Sequence, residues 1–465
     1  MNVTGLDITA IVLYFIAVGV FAFLSRRTRT FTDFSVASHS IPASMIFASM
    51  CATYVGPGFA VGMTSKGFAS GYVFYFMTLA FVLQTLLVGM FVAPMLSEKF
   101  RQCHTLGDVM ETMYGKFAHL LAGIISVGLC IGFTAVMAKI GGGLMQAVTG
   151  WNQMLCIALV TSVVALYTLS GGIRASIATD GLQFGLFSLI IPGLLIMAVV
   201  KSPEGFDIGS KAATLTSEGF AGFTGLQILG ILLSFLLGET LVPPYANRAL
   251  ASKSGADARK GFLFAGGFGV LWLAVVVTLG IYGHGFVEAG TSPDDVFLSM
   301  GAKLLPTGFF GLLLASLIAI VMSSQDSVLN AGAVALVRDI VGVHKEPEEK
   351  KALLLGRWGT VLIAVAAAIV ARYSPGIIEG LLICYSIWAP AMLLPLLIGL
   401  FRKKSAHMAG WLSMLVGGLT SILWQGPLKN PGEIPAILAG LVAGAVAYVI
   451  GELVSKMMGK GEVVK

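Results

Sequence analysis

Apolar stretches long enough to cross a bilayer recur along the whole chain, separated by short polar segments. A helix of about 20 apolar residues spans the hydrocarbon core. The pattern predicts thirteen such spans, at 7–25, 41–65, 70–96, 118–147, 151–169, 175–200, 226–248, 260–285, 306–336, 353–371, 376–401, 406–425 and 433–455. The connections hold about two dozen residues at most, below the roughly 50 that a folded domain needs. The expected class is therefore an all-α polytopic membrane protein, with the lipid bilayer as its surroundings and its chemistry inside the helices.

Composition narrows the field. Only 11% of the 465 residues are charged and 57% are apolar, whereas soluble domains carry about 25% charge. A soluble enzyme, a disordered chain and a nucleic-acid-binding domain are excluded despite the net charge of +6. No nucleic-acid partner is expected, and no obligate protein partner is evident. Cys51, Cys130, Cys156 and Cys384 lie in apolar runs and Cys103 in a connection, so no disulfide or zinc framework is expected. The six histidines are scattered without metal-ligand spacing.

The cations give sidedness. The first span is followed by Arg26, Arg27 and Arg29 and preceded by no basic region, which reads as a retained anchor with its N-terminus outside. Alternating from there, 22 of the 29 Lys and Arg fall inside, among them Lys99, Arg248, Lys260, Arg338, Lys351, Arg402 and Lys456. Six fall outside (Lys66, Lys201, Lys211, Lys303, Arg372, Lys429) and Lys139 lies within a span. This bias predicts a cytoplasmic C-terminus, and the short connections suggest a cell (inner) membrane.

Two spans contain strong helix breakers. Span 2 carries ATYVGPGF at 52–59 and span 7 carries LGETLVPPY at 237–245. Each alone reads equally well as an ordinary proline kink. Together they stand five spans apart, so five-span units holding them would enter the membrane from opposite sides. That predicts a five-plus-five inverted repeat with a broken first helix in each copy, and paired broken helices mark a transporter's central site. The expected parts are an N-terminal span and inside connection at 1–40, repeats at 41–200 and 226–401, an outside connection at 201–225, and two further spans at 402–465.

Charges inside spans are costly and usually face a cavity, an ion or a partner. They are Lys139, Asp180, Glu239, Asp326 and, at a span end, Glu379. In span 9, Ser323, Asp326 and Ser327 share one helix face, with Ser324 beside them. Such oxygens suit a hard cation; serine hydroxyls bonded to their own backbone are the ordinary alternative. Asp180, closing LSGGIRASIATD at 169–180, is either a cation ligand or half of an ion pair with Lys139 or Arg174. Tyr54, Phe59, Tyr72, Tyr75, Tyr245, Tyr385 and Trp388 cluster near the breaks, where packing is the commoner role of an aromatic.

ATYVGPGFAVG at 52–62, SGGIRASIATD at 170–180, NRALASKSGADARKG at 247–261 and VMSSQDSVLNAG at 321–332, set among thirteen spans, resemble the sodium:solute symporter family. The resemblance implies a leucine-transporter-type fold and co-transported sodium. It places a sodium site at the carbonyls of Ala52, Val55 and Ile320 and the hydroxyls of Ser323 and Ser324. Some members hold a second sodium, whose positions match Asp180, Asp326 and Ser327; Asp326 stands where those members have serine. Span 2 most resembles the choline-transporter branch, with Tyr54 at a cage position, but the facing span 7 position is Val242. The candidate substrate residues are Tyr54, Gly56, Phe59, Tyr72, Glu239, Thr240, Tyr245, Tyr385 and Trp388.

The expected function is sodium-coupled symport of a small organic solute by alternating access, with an amino acid or other zwitterion or an organic acid favoured. Proton coupling through Asp326 or Glu239 is the alternative. A membrane solute sensor or a membrane enzyme fits less well, since no nucleophile–base pair or catalytic metal motif stands out.

Overall fold

The computed structural model describes residues 3–25, 28–288, 290–342, 349–373, 377–402, 404–458 and 463–464. Arg26 and Arg27 lie outside the described residues, as do parts of the inside connection after Asp339 and of the C-terminal tail. In chain order the helices are α1 Gly5–Ser25, α2 Phe31–Val36, α3 Ala43–Tyr54, α4 Val61–Ser70, α5 Val73–Leu87, α6 Ala93–Lys99, α7 Leu106–Tyr114, α8 Lys116–Thr149, α9 Gln153–Val200 and α10 Ile208–Ala221. They continue with α11 Gly225–Leu233, α12 Pro243–Ala251, α13 Gly255–Gly283, α14 Val296–Leu304, α15 Phe309–Ala335, α16 Glu349–Ala371, α17 Ile377–Trp388, α18 Leu394–Phe401, α19 His407–Gln425 and α20 Ala436–Met457. A two-residue ladder joins β1 Lys404–Ser405 to β2 Val463–Val464.

Among the described residues, ten helices are long and apolar enough to cross a membrane, or eleven with the bent pair in span 2. Two features separate this from thirteen. The 48-residue α9 counts once, although at about 1.5 Å per residue it is more than twice as long as the roughly 30 Å core. Gly172 breaks it, at φ 56° and ψ −145°. A side chain there would meet the Phe34 carbonyl, so the turn and the close approach of α2 both require glycine. The 19-residue α19 is not among the ten.

α15 runs through the centre. Its most apolar window is 89% buried, against 17–61% for the other nine. It packs against α9, α8, α16, α1 and α3. Large apolar side chains such as Leu189, Leu271 and Trp358 are exposed on the periphery, the inverse of a soluble fold and the surface a bilayer covers. The first span is tied into the centre: Asp7 Oδ1 accepts from Gly308 N at 2.8 Å and Gly311 N at 2.7 Å, capping α15. The expected connections are partly helical too, as α7, α10 and α14 show; these are too short to have an independent hydropathy signal.

Both expected breaks are present. α3 ends at Tyr54, a turn follows at Pro57–Phe59, and α4 leaves at 80° to α3. In span 7, α11 passes through a π turn at Ser234–Gly238, Leu241 takes φ 53°, and α12 restarts at Pro243. The two broken helices are joined at one end, where Ile41 N donates to Ala251 O and Lys253 N to Ile41 O.

Candidate functional site

Breaking a helix frees carbonyls that must find donors. Ser323 Oγ donates to Ala52 O at 2.8 Å and to Ile320 O at 3.1 Å, and Ser324 Oγ donates to Thr53 O at 3.0 Å. The serine pair of α15 therefore meets the last turn of α3. Val55 sits in the turn just beyond, buried. Thr53 is an addition, because hydropathy carries no signal for which carbonyl of a buried turn is freed. Two tryptophans do a similar job: Trp272 Nε1 donates to Phe59 O at 2.7 Å, and Trp388 Nε1 to Thr240 O at 2.9 Å. Each break thus has an indole N–H holding one of its carbonyls.

A cavity of about 20 Å³ lies between the breaks, room for about one water. Tyr54, Gly56 and Phe59 line it from the first break, Glu239 and Tyr245 from the second, and Tyr385 from α17. The same wall includes Ser324 from α15 and, unforeseen, Phe133 and Met137 from α8. The last two lie in an unbroken apolar span, where nothing distinguishes a cavity-facing residue from a lipid-facing one. Tyr72, Thr240 and Trp388 are not on the wall. Tyr72 bonds Thr278 and Thr216, Thr240 bonds Gln84, and Trp388 points at the Thr240 carbonyl. These three brace the breaks instead of facing the cavity.

Glu239 is the carboxyl group of the wall. It is 5% exposed, and the hydroxyls of Tyr245 and Tyr385 each donate to one of its oxygens. Both tyrosines are held to it by short hydrogen bonds. The lining contains no lysine or arginine.

A second polar group lies deeper between α3, α9, α12 and α15. Asp180 pairs with Arg248, with Nη2 2.9 Å from Oδ2. Ser49 Oγ lies 2.5 Å from the same oxygen. Arg248, expected in or beside an inside connection, is 1% exposed in the last turn of α12. It is the partner of Asp180, while Arg174 pairs with Asp33 instead. Arg248 Nη2 further donates to Ser327 Oγ at 2.5 Å. One guanidinium nitrogen thus touches two of the three positions expected for a second cation. The third, Asp326, accepts from Tyr167 at 2.8 Å, Ser176 at 2.8 Å and Ser327 at 3.0 Å. Tyr167 had no periodic or motif signal, and Ser176 lies within SGGIRASIATD but was not singled out there.

The profile of the sodium:solute symporter family matches residues 34–417. The chain belongs to the sodium:solute symporter family. As a member it is a multi-pass membrane transporter that couples sodium to the movement of a small solute. It is 25% identical to the high-affinity proline transporter PutP of Bacillus subtilis, over 88% of this chain and 89% of that protein. It is 24% identical to a sodium/glucose cotransporter of Vibrio parahaemolyticus, over 86% and 81%. Its fold matches a solved Na+-coupled sialic acid symporter in a substrate-bound outward-open state, with TM-score 0.85, 17% identity and 99% of each chain covered. That likeness establishes the fold shared by this symporter family member.

Proposed function

We propose that this symporter carries a small zwitterion, such as an amino acid, together with one sodium ion. Sodium is held by the carbonyls of Ala52, Val55 and Ile320 and the hydroxyls of Ser323 and Ser324. The observation that carries this reading is the double position of Ser324, which bonds the first break and also lines the cavity. An ion there is a direct neighbour of the solute. Glu239 offers a negative charge at one wall and sodium a positive charge near another, which suits an ammonium and a carboxylate on one small molecule. Three bacterial proline transporters are among the relatives, beside several sodium/glucose cotransporters, and the amino-acid carriers support this reading. An organic acid without an ammonium group would leave Glu239 unmatched.

Sodium binding ties α3 to α15, favours solute binding, and is favoured by the solute in equal measure. The joined ends of the two broken helices make them a unit that turns against α8, α9, α15 and α16 to expose the site alternately. We assign the moving and static elements to repeats at 41–200 and 226–401. The wider topology that we assign has thirteen spans, with the N-terminus outside and the C-terminus inside the cell membrane.

The second cation position is taken by Arg248, a cation tethered to the chain, which supports a stoichiometry of one sodium. The test is uptake into proteoliposomes under one imposed gradient at a time. Accumulation of an amino acid under a sodium gradient without a pH gradient is expected. Accumulation under a pH gradient alone, without sodium, would replace this reading with proton coupling through Glu239 or Asp326.

A further inference from the structure

A separate polar cluster lies at the ends of three helices, away from the breaks. Asp108 is on α7, His119 on the first turn of α8, and Asp339 in the π turn Leu336–Ile340 that closes α15. Glu111 and Arg338 surround them. We propose that this cluster binds one divalent transition-metal ion of the zinc type through His119 Nε2, Asp108 and Asp339. The site is independent of the sodium and solute sites.

The spacing is close to that of a loaded site. One ligating atom from each residue lies within 4.8 Å of the other two. His119 Nε2 is 2.9 Å from Asp339 Oδ1 and 4.0 Å from Asp108 Oδ1. A tetrahedral zinc with ligands at about 2.0–2.1 Å holds them roughly 3.3 Å apart. The widest spacing, within 4.8 Å, closes by up to about 1.5 Å to reach that geometry. Each ligand is also oriented from behind, as metal ligands are. Glu111 holds His119 Nδ1 by a short hydrogen bond. Arg338 Nε and His104 N hold Asp108 Oδ2 at 2.5 and 2.7 Å. Thr105 Oγ1 holds Asp339 Oδ1 at 2.6 Å.

Asp339 supplies the independent observation. Its side chain is 0% exposed, and Oδ2 has no hydrogen-bond partner among the described residues. A buried carboxylate oxygen left unpaired is costly, and an ion bound through both oxygens of the carboxyl satisfies it. Space has been cleared for this carboxyl from two helices: a Cβ on Gly107 would strike the Asp339 carboxyl group, and a Cβ on Gly123 its Cβ. The charges also balance. Three carboxylates, one guanidinium, a neutral imidazole and a divalent ion sum to zero. An imidazole beside the carboxylates favours zinc over magnesium or calcium. Glu111 is 34% exposed and gives a route in from the surface.

On binding, the ion replaces the proton shared by His119 Nε2 and Asp339, and that proton is released to solvent. The ion then cross-links α7 and α8 to the end of the sodium-binding helix α15.

The experiment uses the full chain, purified in detergent and stripped with chelator. It is titrated with zinc chloride by calorimetry and with cobalt chloride by visible absorption. One ion per chain is expected, with tetrahedral cobalt bands. His119→Asn abolishes both signals, and Glu111→Gln, behind the ligand, weakens affinity about 10–100-fold. Ser323→Ala leaves both intact. Should His119→Asn fail to fold, Glu111→Gln carries the test alone. No zinc binding by the parent, or equal binding by the parent and Glu111→Gln, would overturn the site.

Discussion

Arg248→Gln offers a sharp test of the tethered-cation reading. The guanidinium donates to Asp180 Oδ2 at 2.9 Å, Ser327 Oγ at 2.5 Å, Ser49 Oγ at 2.8 Å and Pro244 O at 2.9 Å. The side chains of Arg248 and Asp180 are 1% and 0% exposed. Removing one partner of such a pair costs about 3–5 kcal/mol, because a bare carboxylate stays buried. The variant also vacates the space between Asp180, Ser327 and Asp326. A sodium ion entering that space recovers much of the loss: at one hundred times its Kd, mass action returns about 2.7 kcal/mol. The assay is thermal unfolding in sodium and in potassium at equal ionic strength. The variant is expected to melt well below the parent in potassium and to regain more than half of the deficit in sodium. The sodium dependence of uptake should steepen, with a Hill coefficient moving from about 1 towards 2. An equal sodium-induced gain in parent and variant, with an unchanged Hill coefficient, would refute the idea that Arg248 fills a cation position.

Three further outcomes follow from the geometry. Glu239→Gln keeps the size of the side chain but removes the charge facing the cavity; charge-assisted hydrogen bonds contribute about 1.5–3 kcal/mol, so uptake affinity for ammonium-bearing solutes should fall at least tenfold, measured as KM, with little change for uncharged ones. Asp7→Asn weakens the cap that the first span places on α15; a loss of about 1 kcal/mol in urea or thermal unfolding is expected, and an unchanged transition would show the first span to be energetically separate. Burial pushes the Asp33 carboxyl up, but hydrogen bonds from Ser38 and Arg174 outweigh it and hold the group below its usual range. Its contribution is therefore complete above the ordinary carboxylate pKa of about 3.9 and lost as pH falls through the lower folded value; Asp33→Asn should lower stability near pH 7 and converge with the parent at low pH, flattening the acid limb of the stability curve.

Hydropathy revealed the spans because lipid imposes one strong rule on every membrane-crossing segment. The two breaks were legible for the same reason: Gly56–Pro57–Gly58 and Pro243–Pro244 interrupt a helix, and lipid tolerates such interruptions only where protein or a cavity satisfies the freed backbone. Ser323 and Ser324 were legible from their adjacency on a buried helix. What stayed hidden depends on contacts between elements far apart in sequence. Arg248 lies in NRALASKSG, which reads as a polar connection, yet α12 carries it inward to Asp180, 68 positions away. Tyr167 and Ser176 reach Asp326 across about 150 positions. Trp388 and Tyr72 were placed near the right breaks, but which way an aromatic faces is decided by the helix packed against it. The cluster of Asp108, His119 and Asp339 was invisible because its three members come from three separate segments.

The most direct test of the central claim is sodium binding by the parent and by Ser323→Ala/Ser324→Ala. Stabilisation against heat is measured across a sodium series at constant ionic strength, with and without a transported amino acid. The parent is expected to gain stability with sodium, and more so with both ligands together. The double variant should need at least tenfold more sodium, each lost oxygen contact to a charge contributing about 1.5–3 kcal/mol. A sodium response identical in the two proteins would contradict the account, because it would place the coupling ion somewhere other than the junction of α3 and α15.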